Sequence, residues 1–133
     1  YNANPLSMMA GFRSLGARTI SEGGRRVVVL TDMLELGHQS EALHSGLARA
    51  IEQAGLDLVH AAGPQMRALH EALPVSRRGL WVETAAELAQ QAHRLVQSGD
   101  TVMVKGSNGS KASLVARAIA ALDDGTLAAN GVS

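Results

Sequence analysis

Apolar positions along the chain fall into two alternating kinds of segment. Four short apolar runs rich in β-branched side chains stand out, at residues 27–30, 56–61, 79–82 and 101–104. They lack the strict in–out alternation of a half-exposed strand. Strands of that kind belong to a sheet covered on both faces. Each run is followed by apolar residues at helical spacing. After the first, Leu43, Leu47, Ala50, Ile51 and Ala54 form one stripe, with Glu41, Arg49, Glu52 and Gln53 off it. Met66, Leu69 and Leu73 follow the second run. Leu88, Ala92, Leu95 and Val96 follow the third, and Val115, Ala118, Ile119 and Leu122 the fourth. A further stripe, Met8, Phe12 and Leu15, precedes the first run.

Boundary signals agree with this spacing. Asn4-Pro5 reads as an N-cap followed by proline at the first helical position. Thr84-Ala85-Ala86-Glu87 is a capping box, Pro64 can open the helix that carries Met66, and Gly55 and Gly99 sit where helices should stop. The predicted order is α-β-α-β-α-β-α-β-α. Strands separated by helices require crossover connections, and hence an α/β fold of the Rossmann-like type: a three-layer sandwich around a mainly parallel sheet. Starting on a helix is unusual for such a fold, and the first residue is Tyr1, not Met. A strand is therefore expected immediately before Tyr1. Residues 1–122 are read as one domain and 123–133 as a flexible polar tail.

Composition narrows the picture. Apolar residues make up 46% of the 133, enough for a core, yet only Tyr1, Phe12 and Trp81 are aromatic, so that core is aliphatic. Twelve basic residues balance twelve acidic ones, which leaves no electrostatic footprint for nucleic acid or for an anionic membrane. There is no cysteine, which excludes disulfides and thiolate chemistry and suits the cytoplasm. No apolar run approaches the roughly 20 residues that span a bilayer.

Ligands of open α/β sheets bind beyond the carboxyl ends of the strands. Three unusual segments fall there. Tyr1-Asn2-Ala3-Asn4-Pro5 leads into a helix start, where free N–H groups favour anions. Asp32 and Glu35 stand three apart after the first strand and suit a cation or an ammonium group; their structural alternative is a strand end and a helix first turn. Lys105-Gly106-Ser107-Asn108-Gly109-Ser110-Lys111 joins the last strand to the last helix and offers N–H groups, hydroxyls and a lysine to a carboxylate or phosphate. It is not a P-loop, because only two residues separate its glycines. The five histidines show no metal-ligand spacing, and no metal site or catalytic constellation can be assembled. Arg25-Arg26 and Arg77-Arg78 precede strands and are read as solvated.

Together these blocks resemble the signatures of the Mur ligase family. The resemblance rests on Tyr1 to Pro5 with Ser7-Met8, on Asp32-Met33-Leu34-Glu35-Leu36-Gly37, on Gly63-Pro64-Gln65-Met66 and on Val104-Lys105-Gly106-Ser107, and it covers residues 1 to about 122. It implies the third domain of a three-domain enzyme, which receives the incoming amino acid or dipeptide. ATP and Mg2+ would be bound mainly by the central domain, which carries the true P-loop. The form of the blocks points to the member that joins D-Ala-D-Ala to UDP-N-acetylmuramoyl-tripeptide through an acyl phosphate. The partners implied are those two substrates, ATP and the N-terminal and central domains, and this domain alone would be inactive. The resemblance places the dipeptide carboxylate near Lys105, Gly106, Ser107 and Asn108, and its ammonium at Asp32 or Glu35. Tyr1, Asn2 and Asn4 would face the sugar-peptide and the nucleotide. Two departures stand out: Thr31 occupies a position often held by glycine in the family, and Asn108 one often held by arginine. The alternatives are a sibling ligase adding a different amino acid and a free-standing flavodoxin-like binding module.

Overall fold

The computed structural model describes residues 5–32, 40–106 and 111–122. The chain runs α1 (Pro5–Ala17), β1 (Arg26–Thr31), α2 (Ser40–Ala54), β2 (Leu58–Ala62), α3 (Met66–Ala72), β3 (Arg78–Val82), α4 (Ala85–Gln90), α5 (Ala92–Leu95), β4 (Thr101–Lys105) and α6 (Ala112–Ala121). A 3-10 turn, Val75–Arg77, precedes β3. The four strands form an all-parallel sheet in the order β3-β2-β1-β4.

Both faces of the sheet are covered, as the apolar strand runs predict. Val28 and Leu30 of β1, Val59 and Ala61 of β2 and Met103 of β4 pack under α1, α2 and α3 with Met8, Phe12, Leu15, Leu47, Ile51, Met66 and Leu69. Val27 and Val29, with Val102 and Val104, face the other way onto Leu88, Leu95, Val115 and Ile119 of α4, α5 and α6. This is the predicted three-layer sandwich. The tail at 123–133 lies outside the described residues.

Helix ends follow the local chemistry. At the end of α2 Gly55 adopts φ +72°, its N–H bonds to the Glu52 carbonyl at 3.1 Å, and the Leu56 N–H reaches back to the Ile51 carbonyl at 3.3 Å. This is a Schellman motif, and its hydrophobic pair, Ile51 and Leu56, is fully buried. Leu56 is therefore a core plug after a helix and not the first residue of a strand. Thr84 caps α4 by accepting from the Glu87 N–H at 3.1 Å, while the Glu87 carboxylate accepts from the Thr84 hydroxyl. The stripe Leu88–Val96 divides into two helices at Gln91 (φ −98°, ψ 12°), and α5 ends at Leu95, four residues ahead of Gly99.

Of the arginines read as solvated, Arg78 is exposed and Arg25, Arg26 and Arg77 are half-buried, and all four hold specific partners. Arg25 makes a bidentate pair with Asp100 at 2.9 and 2.8 Å, and Asp100 also accepts from the Gln97 N–H at 2.8 Å. Arg26 donates to the Leu15 and Arg18 carbonyls at the end of α1. Arg78 does the same for Glu71 and Leu73 at the end of α3, and Arg77 donates to the Leu56 carbonyl. Helix C-termini leave carbonyls without partners, and these guanidinium groups supply them.

His60 lies inside the fold. It is buried between β2, β3 and α5. Its Nε2–H donates to the Leu95 carbonyl at 2.7 Å and its Nδ1 accepts from the Leu80 N–H at 3.0 Å. The β2–β3 register shifts here: Val59 pairs with Arg78, but Ala61 pairs with Trp81. One extra residue on β3 bulges, and the His60 ring takes the N–H that the ladder leaves over.

Candidate functional site

Strand order reverses at β1. From β1 the chain moves outward through α2 and α3 to β2 and β3. It then returns across the other face through α4 and α5 to β4, on the opposite side of β1. The crevice at such a reversal, outside the carboxyl ends of the strands, is where open α/β sheets receive ligands. Leu30 pairs with Lys105, so Asp32 and Lys105-Gly106 leave the sheet from neighbouring strands at this point.

The helix α1 contributes to the same edge. Its C-terminal carbonyls meet Arg26 at the start of β1, and a Cβ on Gly11 would lie 3.0 Å from the Met103 sulfur and 3.6 Å from the Lys105 Cε. The stem of Lys105 therefore runs along α1 at Gly11. Pro5 stands six residues, or about 9 Å of helix rise, further toward the carboxyl edge.

Asp32 is buried at 6% exposure. Its Oδ1 accepts from the Met66 N–H at 3.0 Å, which ties the end of β1 to the start of α3. The turn that brings α3 there is Gly63-Pro64. Gly63 has φ +113°, and a Cβ on it would sit 2.3 Å from the Asp32 Oδ1 and 2.4 Å from its Cγ, so only glycine fits against the carboxylate. The Gly63 N–H donates to the Val82 carbonyl at 2.9 Å, and its carbonyl accepts from the Trp81 indole at 2.9 Å. Gln65, at the start of α3, has a buried Oε1 that no donor reaches among the described residues.

Of the residues singled out by sequence, the structure thus gathers Asp32, Lys105 and Gly106 at one edge. Tyr1, Asn2, Asn4, Glu35, Ser107 and Asn108 lie outside the described residues. Sequence reasoning did not give Gly63 and Trp81 a place at the site; Gly63 entered only with the block Gly63-Pro64-Gln65-Met66, and nothing local tied it to Asp32. A groove of about 340 Å³ between α1 and α2, lined by Met9, Arg13, Arg49 and Ala50, opens on the outside of the helical layer and holds none of these residues. Among the described residues no group of three or more His, Asp or Glu side chains is placed to hold a metal ion, and no helix is long and apolar enough to cross a membrane.

Asp32, Lys105 and Gly106 thus stand at the switch point of an open parallel sheet, the edge where such domains receive small ligands. The comparisons specify which kind of domain it is. The family model for the Mur ligase, glutamate ligase domain matches residues 1–108, and the chain belongs to that family. A UDP-N-acetylmuramoyl-tripeptide--D-alanyl-D-alanine ligase from Escherichia coli (strain K12) is 34% identical over 120 residues, which is 90% of this chain and 25% of that protein. The enzyme of the same name from Rickettsia prowazekii (strain Madrid E) is 29% identical over 84% of this chain and 24% of its own length. The chain thus spans about a quarter of the length of the curated relatives it matches. In structure it is similar to MurF from Acinetobacter baumannii (TM-score 0.71, 26% identity, 90% of this chain and 26% of that one). The MurF ligase from Thermotoga maritima in complex with ADP shares the fold at TM-score 0.70 and 22% identity, over 90% of this chain and 26% of that one.

Proposed function

We propose that this chain is the dipeptide-receiving domain of a cytoplasmic ligase that joins D-Ala-D-Ala to UDP-N-acetylmuramoyl-tripeptide, a step in making the peptidoglycan precursor. The observation that carries this reading is that Asp32 and Lys105-Gly106 flank the reversal of strand order among the described strands. Residues 1–122 make up the domain and 123–133 a tail beyond it. ATP supplies the phosphoryl group that activates the peptide carboxylate. It is assigned, with Mg2+, mainly to a central domain of the full-length enzyme, because this chain has no P-loop.

The part left to this domain is positioning. D-Ala-D-Ala is a zwitterion whose amine must meet an activated carboxyl in line, and fixing that approach lowers the barrier substantially. Lys105, with the N–H and hydroxyl groups of Gly106, Ser107 and Asn108, would hold the dipeptide carboxylate. Asp32 or Glu35 would orient its ammonium end. Tyr1, Asn2 and Asn4 would face the sugar-peptide and nucleotide across the cleft.

Phosphate release by the full-length enzyme tests this, measured with ATP, Mg2+ and UDP-N-acetylmuramoyl-tripeptide, with and without D-Ala-D-Ala. Release that requires the dipeptide is expected, and this chain alone should release none. Release that ignores D-Ala-D-Ala but answers to another amino acid would make the enzyme a sibling ligase. Silence with every acceptor would leave a binding module.

A further inference from the structure

The proposed function leaves unexplained how Asp32 is held. One backbone donor, the Met66 N–H, lies within reach of two acceptors: the Asp32 Oδ1 at 3.0 Å and the Gly63 carbonyl at 3.2 Å. That donor is shared between the turn's own carbonyl and the carboxylate, and how well it serves Asp32 depends on where the Gly63 peptide sits. The Trp81 indole sets that position. Its Nε1–H donates to the Gly63 carbonyl at 2.9 Å, beside the bond from the Met66 N–H, and so pins the peptide against which the Asp32 carboxylate packs. Val82 fixes the other side of the same peptide by accepting from the Gly63 N–H at 2.9 Å. Both anchors come from the end of β3, a strand that contributes none of the residues singled out for substrate.

We propose that Trp81 is a positioning residue of the ligase site, acting through the Gly63 turn to orient the Asp32 carboxylate toward the ammonium group of the incoming dipeptide. This rests on the function proposed above. Trp81 touches no substrate. Its ring packs on the core below, and Arg67 lies over its outer face at 5.6 Å. The indole N–H is the functional part, and ring volume alone does not replace it.

Two measurements separate this claim from the substrate reading. The first uses the full-length enzyme with Trp81→Phe, which keeps a ring and removes the donor. The KM for D-Ala-D-Ala is expected to rise about tenfold, the scale set by one hydrogen bond, with kcat and the KM for ATP within about twofold. Arg67→Ala, which removes the cation and leaves the indole N–H, should leave the dipeptide KM unchanged. The second is amide hydrogen exchange of Met66, which depends on no substrate: in Trp81→Phe it should quicken while the β1 amides hold their protection. An unchanged dipeptide KM overturns the proposal. So does a uniform loss of kcat with every KM altered, which is the mark of a general structural role. Unchanged Met66 exchange overturns it whatever the substrate proves to be. If the unmodified enzyme ignores D-Ala-D-Ala but Met66 exchange still quickens, the clamp on Asp32 stands and the substrate reading falls.

Discussion

Replacing Arg25 with alanine is expected to lower the folding free energy by about 3–5 kcal/mol, read as a shift in the urea midpoint at unchanged slope. The reason lies in what is left behind. The Asp100 side chain is only 2% exposed, against 31% for Arg25. Without the guanidinium, both carboxylate oxygens lose their charged donor, and only the Gln97 N–H still reaches one of them. A buried, under-paired carboxylate is among the costliest arrangements a fold can carry. The damage would spread, because this pair joins the start of β1 to the turn before β4, where the Thr101 N–H also bonds to the Arg25 carbonyl. Asp100→Asn should cost less, since it keeps the shape and removes the charge. The double replacement Arg25→Met with Asp100→Leu should recover at least half of the loss, because two apolar side chains need no pairing. A double variant no better than Arg25→Ala would mean that the amino edge depends on something other than this pair.

The second large effect centres on His60. Its two ring nitrogens have opposite roles, Nε2 donating to Leu95 and Nδ1 accepting from Leu80, so only one neutral tautomer fits. Protonation would set a second N–H against the Leu80 N–H and unpin β3 from β2. Burial is the main cause that lowers the pKa of this ring below 6.5; Arg25 and His70 push the same way, while the Leu95 hydrogen bond and Asp100 oppose them. The unfolded chain therefore binds the proton more readily than the folded one. The contribution is present in full above about 6.5, and it is lost as pH falls from there toward the lower folded value. Melting temperature should drop over that window, and His60→Gln should flatten the drop. At neutral pH, Gly79→Ala should do similar harm by steric means. Its Cβ would fall 2.3 Å from His60 Nδ1 and 2.8 Å from the Val59 carbonyl oxygen, at a cost of about 3 kcal/mol. A Gly79→Ala protein as stable as the original would mean that the bulge relaxes freely.

Much of this fold is legible along the chain because its determinants are local. The four strands coincide with the apolar runs to within two residues, since a parallel sheet buried on both faces leaves no room for polar alternation. Thr84 and Gly55 mark their boundaries through hydrogen bonds to residues a few positions away. The features that escaped the sequence pair residues far apart in the chain. Arg25 meets Asp100 across 75 positions and His60 meets Leu95 across 35. A charged or imidazole side chain carries no local sign of a buried partner so distant. The split of Leu88–Val96 into two helices was invisible for a different reason: both halves bury the same face, so the spacing stays helical through the break at Gln91.

The candidate site divides in the same way. Strand order places Asp32 and Lys105 together, and the apolar pattern already implied that edge. That Asp32 leans on the Gly63 turn, and that Trp81 holds the turn, depends on the neighbouring of β1, β2 and β3 and on a glycine at φ +113°.

The most direct test of the account is the kinetics of Lys105→Met in the full-length enzyme. Methionine keeps an unbranched stem against Gly11 and removes the charge assigned to the dipeptide carboxylate. The KM for D-Ala-D-Ala should rise by about tenfold to a hundredfold, as expected for a lost charge-assisted hydrogen bond, while the KM values for ATP and UDP-N-acetylmuramoyl-tripeptide stay within about twofold. A variant with an unchanged dipeptide KM would contradict the placement of the dipeptide at the β1–β4 switch point.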